Sequence, residues 1–268
     1  MKTLVIDRVG HAEFRQIEEQ SPGPGEVLVD VRHVGLCGTD LNTFSGLNPL
    51  VELPRIPGHE IGGVIAATGE GVEPPLAVGK PVIVIPYTTC GTCTSCRSGR
   101  FNACRYNRTL GVQQDGGLCD RIVLPADRLI VNEALPAAQL ALVEPLSVGF
   151  HAVARGSVAA KDRVLVLGGG MIGVGAILGA LARGATVIVS EVSETKRDLL
   201  LALGVSEVIN PMTEDLPAAI ERLTDGDGAD VVIEAVGRPE TFRQSIDLAA
   251  FSGRVVYIGY AKAEVSYD

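Results

Sequence analysis

Val164-Leu-Val-Leu-Gly168-Gly-Gly170-Met-Ile-Gly173 constrains the fold more than any other stretch of the chain. Apolar strand-formers run into G-x-G-x-x-G, and an apolar segment of helical character follows. The order reads strand, tight turn, helix. Gly168 suits the turn, Gly170 lets the backbone approach a pyrophosphate, and Gly173 lets the helix pack closely on the strand, while the helix N-terminus attracts phosphate. Glu191 ends the next apolar run about twenty residues later, where a carboxylate can accept hydrogen bonds from a ribose diol. Such a carboxylate repels a 2′-phosphate, so the spacing favours NAD over NADP. Lys196 and Arg197 just beyond it keep the phosphorylated cofactor as an alternative. The expected cofactor contacts are Gly168, Gly170, Met171, Ile172, Gly173, Glu191 and Arg197. The structural alternative is that the glycines only turn a buried strand and Glu191 is a solvated terminus.

The surrounding pattern supports the first reading. From about residue 160, strand-like runs at 164–167, 186–190, 207–209, 230–234 and 254–258 alternate with helical runs at 172–183, 194–203, 215–223 and 239–248. Alternation of this kind predicts a parallel sheet covered on both faces. Residues 1 to about 135 differ: short β-branched runs at 3–6, 27–31, 63–68, 81–85 and 121–124 are punctuated by Pro and Gly, as in a barrel or sandwich. The sequence therefore predicts a β-rich domain over 1–148 and a dinucleotide-binding domain over 149–268, joined by a helix beginning after Pro145.

Cys90, Cys93, Cys96 and Cys104 stand in a C-x2-C-x2-C-x7-C arrangement with Gly, Ser and Thr between them. Four thiolates in a flexible loop can converge tetrahedrally on one Zn²⁺, leaving no open position, so the cluster reads as structural. A disulfide pair with spare thiols is the alternative. A second set is dispersed: Cys37 in Gly-Leu-Cys-Gly-Thr-Asp, His59 and Glu60 in Gly-His-Glu, and Glu144 in Val-Glu-Pro. Each is bland alone, but together they supply sulfur, imidazole and carboxylate, the donors of an open zinc site. Cys119 fits a buried strand position and has no assigned role. His151 reads as a core histidine sooner than a site residue, and His11 and His33 have no motif around them.

These motifs, in this order, resemble the zinc-dependent medium-chain alcohol and polyol dehydrogenases, and the Glu-Pro pair resembles the sorbitol, galactitol, hexonate and threonine dehydrogenase branch. The resemblance implies a GroES-like catalytic domain followed by a Rossmann doubly wound parallel sheet, with the active site between them. It implies two Zn²⁺ per chain: a catalytic one held by Cys37, His59, Glu60 and Glu144, and a structural one on the four clustered cysteines. Asp40 would orient His59. Thr39 would relay the alcohol proton, and NAD would receive the hydride. Relatives often carry His and Tyr where this chain has Asn42 and Phe44. They also run on to a sixth strand that pairs across a dimer axis, so a chain ending at Asp268 is expected to lack that strand and the return to the catalytic domain. A homodimer or homotetramer is expected where those residues are present. The substrate expected is a secondary alcohol of a polyol, sugar acid or similar molecule. A threonine or amino-alcohol dehydrogenase, with Arg55 as the nearest carboxylate-binding cation, is one rival; a catalytically inactive, zinc-stabilised nucleotide-binding module is another.

Composition narrows the partners. Among 268 residues, 23 basic and 32 acidic side chains give a net charge of −9, with the signs interspersed. A nucleic-acid backbone or anionic membrane surface is an unlikely match for such a chain. The run 164–181 approaches membrane-spanning length, but its central glycines fit a strand-turn-helix better. With no signal-peptide core at the N-terminus, the expected compartment is the cytoplasm, where clustered thiols stay reduced.

Overall fold

The computed structural model describes residues 1–267. It divides into two compact units, Met1–Glu144 and the residues from Pro145 onward. The division falls just ahead of the 148/149 boundary expected from sequence.

In the first unit, β1 (Lys2–Arg8) and β2 (His11–Gln16) form an antiparallel hairpin. Five more strands, β3 (Glu26–Gly35), β4 (Glu60–Thr68), β5 (Pro81–Val84), β6 (Arg121–Pro125) and β7 (Leu129–Val131), make a second antiparallel sheet in the order β6-β3-β4-β5-β7. Three short helices interrupt them: α1 (Gly38–Phe44), α2 (Thr94–Arg97) and α3 (Ala137–Leu140). The core is the inward set Val27, Val29, Ile61, Ile65, Val82, Val84, Leu124 and Leu129. Val27/Val29 and Val82/Val84 are two apart, as one face of a strand requires. The helix α4 (Val143–Arg155) starts in this unit and runs into the next. It begins two residues before Pro145, which lies in its first turn, where the missing N–H breaks no helical bond.

The second unit alternates β8 (Arg163–Leu167), α5 (Met171–Ala182), β9 (Thr186–Ser190), α6 (Glu194–Ala202), β10 (Glu207–Ile209), α7 (Leu216–Leu223), β11 (Ala229–Glu234), α8 (Pro239–Asp247) and β12 (Ala249–Tyr257). All neighbours in the sheet order β10-β9-β8-β11-β12 are parallel. Successive strand residues enter opposite layers: Val164 and Val166 pack with Ala176 and Ile177 of α5, Leu165 and Leu167 with Leu216 and Ile220 of α7. Both faces of β8 are thus dry, which is why its sequence shows no polar alternation. The strand order reverses direction between β8 and β11, which creates a crevice at the carboxyl ends of those strands. Among the described residues, no helix is long and apolar enough to cross a membrane.

Candidate active site

Cys37 sits at the entrance of α1 as its N-cap. Its sulfur accepts from the Thr39 amide at 3.1 Å, while the Asp40 carboxylate accepts from the Cys37 amide at 3.0 Å. The other Asp40 oxygen accepts from the Gly58 amide at 3.0 Å. One buried carboxylate therefore ties the Cys37 turn to the segment carrying His59 and Glu60. His59 Nε2 lies 3.1 Å from Cys37 Sγ. Asp40 was expected to orient His59. Its nearer oxygen is 4.0 Å from Nδ1, an ion-pair distance, and Nδ1 itself has no hydrogen-bond partner.

His59, Glu60 and Glu144 offer donor atoms all within 4.8 Å of one another, as do Cys37, Asp40 and His59, and the carboxylates and imidazole are buried. Gly35 is what admits Glu60, since a Cβ on residue 35 would lie 1.9 Å from the Glu60 Oε2. Burial opposes a charge on His59, but the Cys37 sulfur and the Asp40 and Glu144 carboxylates outweigh it and raise the imidazole to about 9. Burial, reinforced by Glu144 and Asp40 against the pull of His59, raises the Glu60 carboxyl. A thiol and three carboxyls thus crowd one imidazole in a buried space, an arrangement that costs free energy without a further positive charge. The imidazole, whose Nε2 lies beside the sulfur, the sulfur and the carboxylates are the donor types that zinc accepts, so the residues fit the metal.

Tyr87, just after β5, was not anticipated. Its half-buried phenol donates a hydrogen bond to Glu144 Oε1, and burial followed by the Glu144 charge pushes the phenol far above its ordinary value, keeping it a donor. A lone Tyr preceding a cysteine loop carries no sequence signal for that partnership. Thr39 is half-buried in the first turn of α1, Asn42 is half-buried, and Phe44 is exposed. Arg55 is engaged by Asp115 at 3.1 Å. His151 and His33 are exposed, so the core placement expected for His151 does not hold; His11 pairs with Asp7.

The four clustered cysteines also bring their sulfurs within 4.8 Å of one another, and all are free thiols. The amides of Cys90 and Cys93 point at the sulfurs of Cys104 and Cys90, each at 3.3 Å. The Thr92 hydroxyl, then the Cys93 and Thr92 amides, lower Cys90 to about 6. These thiols fit a tetrahedral zinc site. Cys119 stands apart, donating to the Arg121 carbonyl at 3.0 Å.

In the second unit, Gly168 has φ +98° and Gly170 has open space where a Cβ would stand. A Cβ on Gly173 would be 1.9 Å from the Gly168 carbonyl oxygen. Met171 and Ile172 open α5, partly exposed. Glu191 is buried rather than solvated; it accepts from the Gly169 amide at 2.8 Å and the Ser193 amide at 2.9 Å. The cation beside it is Lys196, at 3.4 Å. Arg197, expected among the cofactor contacts, instead donates to the Val208 carbonyl and lies 3.7 Å from Glu207.

Comparison with known proteins agrees with this geometry. Residues 23–135 match the family model of the alcohol dehydrogenase GroES-like domain, and residues 172–268 that of zinc-binding dehydrogenases. The L-galactonate-5-dehydrogenase of Escherichia coli K12 is 34% identical over 268 residues, all of this chain and 78% of that protein. The L-threonine 3-dehydrogenase of Pyrococcus abyssi is 36% identical, over 96% of this chain and 75% of its own length. A zinc-binding dehydrogenase of Sinorhizobium meliloti 1021, crystallised with NADP, superposes with a TM-score of 0.94 at 33% identity, covering all of this chain and 79% of that one. This chain belongs to the zinc-binding medium-chain alcohol dehydrogenase family and is an oxidoreductase of alcohols.

Proposed function

We propose that the chain oxidises a secondary alcohol on a polyol, sugar acid or similar small hydroxylated substrate, with NAD as hydride acceptor. The observation that carries this reading is the convergence on buried His59 of a half-buried Cys37 and of buried Glu60 and Glu144, in a chain whose glycine turn is paired with a buried carboxylate, Glu191. Cys37, His59, Glu60 and Glu144 hold the catalytic zinc, and Cys90, Cys93, Cys96 and Cys104 a structural one. The catalytic zinc, when bound, supplies a Lewis acid that favours loss of the alcohol proton. Thr39, in the turn that presents Cys37, takes that proton toward solvent. Asn42 cannot titrate, so water or another group continues the path. NAD, when bound, would supply the hydride acceptor that lets the secondary alcohol become a ketone. Gly168, Gly170, Met171, Ile172 and Gly173 receive the pyrophosphate, and Glu191 the adenosine ribose.

The galactonate relative supports a sugar-acid substrate. The threonine relative favours an amino-alcohol as the second reading, but Arg55, the cation nearest the site in sequence, is occupied by Asp115. The chain works in the cytoplasm, and as a homodimer or homotetramer where the family's C-terminal residues are present. Purified protein should contain two zinc ions per chain and form NADH from NAD with a member of a polyol, hexonate and amino-alcohol panel. Undiminished turnover by the Cys37→Ala, His59→Ala double variant would remove the mechanism, and one zinc with NAD binding but no turnover would favour an inactive module.

A further inference from the structure

Glu234 ends β11 with no solvent exposure, beside Leu167 at the end of β8, on the margin of the crevice where the strand order reverses. Its carboxyl is used unevenly. Oε1 accepts from the Val236 amide at 2.9 Å and the Gly237 amide at 2.8 Å, and lies 2.7 Å from the Thr241 hydroxyl in the first turn of α8. Oε2 is buried without any hydrogen-bond partner. A buried, half-satisfied carboxyl costs stability, so its place at the cofactor end of the sheet calls for a reason.

The neighbours supply one. Val236, whose amide Glu234 holds, packs against the fingerprint turn: a Cβ on Gly168 would lie 2.8 Å from a Val236 methyl. The Glu234 carbonyl accepts from the Ile258 and Gly259 amides at 2.8 and 3.0 Å, and a Cβ on Gly259 would lie 2.2 Å from Oε2. One residue thus fixes the loop after β11, the start of α8 and the chain leaving β12. A dinucleotide laid across the crevice has its adenosine ribose on the β9 side, at Glu191, and its nicotinamide half on the side of β11 and β12.

We propose that Glu234 is a positioning residue for the nicotinamide half of the cofactor, acting through Val236, Gly237 and Gly259 rather than by contact with it. This rests on NAD binding to the second unit. The carboxyl holds three chain segments in one geometry, and the unpartnered oxygen occupies the space that a side chain at residue 259 would take.

The test compares NADH with ADP-ribose, which lacks the nicotinamide, by titration of the zinc-loaded full chain. Glu234→Met keeps the length and removes the acceptor; it should weaken NADH about tenfold or more, as expected for the loss of several hydrogen bonds, while ADP-ribose affinity and zinc content stay at the wild-type level. Glu234→Gln keeps an accepting oxygen and should restore NADH affinity. Should Glu234→Met not fold, Thr241→Val, which removes the α8 hydroxyl 2.7 Å from Oε1, should show the same selective loss. Equal NADH affinity in a folded variant, or a proportional loss of both ligands, overturns the proposal. If the wild-type chain binds neither ligand, it is the cofactor assignment that fails.

Discussion

Glu191→Gln separates the two things the Glu191 carboxylate does. In the structure its two oxygens accept from the Gly169 and Ser193 amides at 2.8 and 2.9 Å, with Lys196 3.4 Å away. A carboxamide can keep one of these amides but presents an N–H₂ to the other, losing a charge-assisted bond of about 1.5–3 kcal/mol. Toward the cofactor the loss has the opposite sign for NADP. A 2′-phosphate in place of the ribose hydroxyl would stand about 4 Å from the carboxylate, where two unit charges repel by about 4 kcal/mol at an effective dielectric of about 20. Lys196 offsets part of this, leaving about 2–3 kcal/mol, or about 30- to 150-fold in favour of NAD. Steady-state kinetics with both cofactors should therefore show kcat/KM for NAD falling and the NAD:NADP ratio collapsing by about 30-fold or more. An unchanged ratio would refute the placement of Glu191 beside the ribose. Burial would raise the Glu191 carboxyl, but the Ser193 and Gly169 amides and Lys196 hold it below its usual 4.5. Its contribution to stability is thus present above the unfolded value and lost as pH falls through the lower folded one. Glu191 itself should add no pH dependence to the NAD preference near neutrality; any change there comes from the 2′-phosphate, which gains its second charge at about pH 6.

Two further outcomes test the first unit. Tyr87→Phe removes the phenol that donates to Glu144, a bond to a charged group worth about 1.5–3 kcal/mol, so one zinc should pass to a chelator about tenfold more readily while the cysteine-bound zinc stays; equal release of both would refute the positioning of Glu144. Burial raises Cys119 to about 11, so at pH 8 only ~0.1% is thiolate, and iodoacetamide should leave Cys119 unmodified in the zinc-loaded protein until the pH nears that value.

The second unit was legible because its signals are local. Strand, glycine turn, helix and carboxylate follow one another within a single βαβ segment, and β8 needs two dry faces that its unbroken apolar run announces. The elements that escaped are those whose order comes from elsewhere. β2 is mostly exposed and is held by pairing with β1, so its sequence shows no buried alternation. β7 is three residues long, and α1 is a seven-residue helix whose N-cap is a cysteine sulfur, outside the usual Ser, Thr, Asp and Asn set. β12 begins at Ala249, ahead of the expected 254, because its first residues are small, or exposed like Phe251.

The same distinction runs through the site. Which residue types converge could be read from motifs, because zinc chemistry limits the donors to few kinds. What each donor leans on could not, because those contacts join residues far apart in sequence: Tyr87 with Glu144, Asp40 with Gly58, Gly35 with Glu60. Asp40 shows how the inference from type alone goes astray. A carboxylate near a candidate ligand histidine suggests a hydrogen bond to the ring, but where the carboxylate sits depends on all its partners. The amides of Cys37 and Gly58 each hold one oxygen at 3.0 Å, and the His59 Nδ1 stands 4.0 Å away, within reach of the charge but not of a hydrogen bond. Asp40 therefore braces the Cys37 turn against the His59 segment and acts on the imidazole through its charge. Its removal should misplace Cys37 and His59 together, as loss of a shared brace does and loss of a ring partner does not.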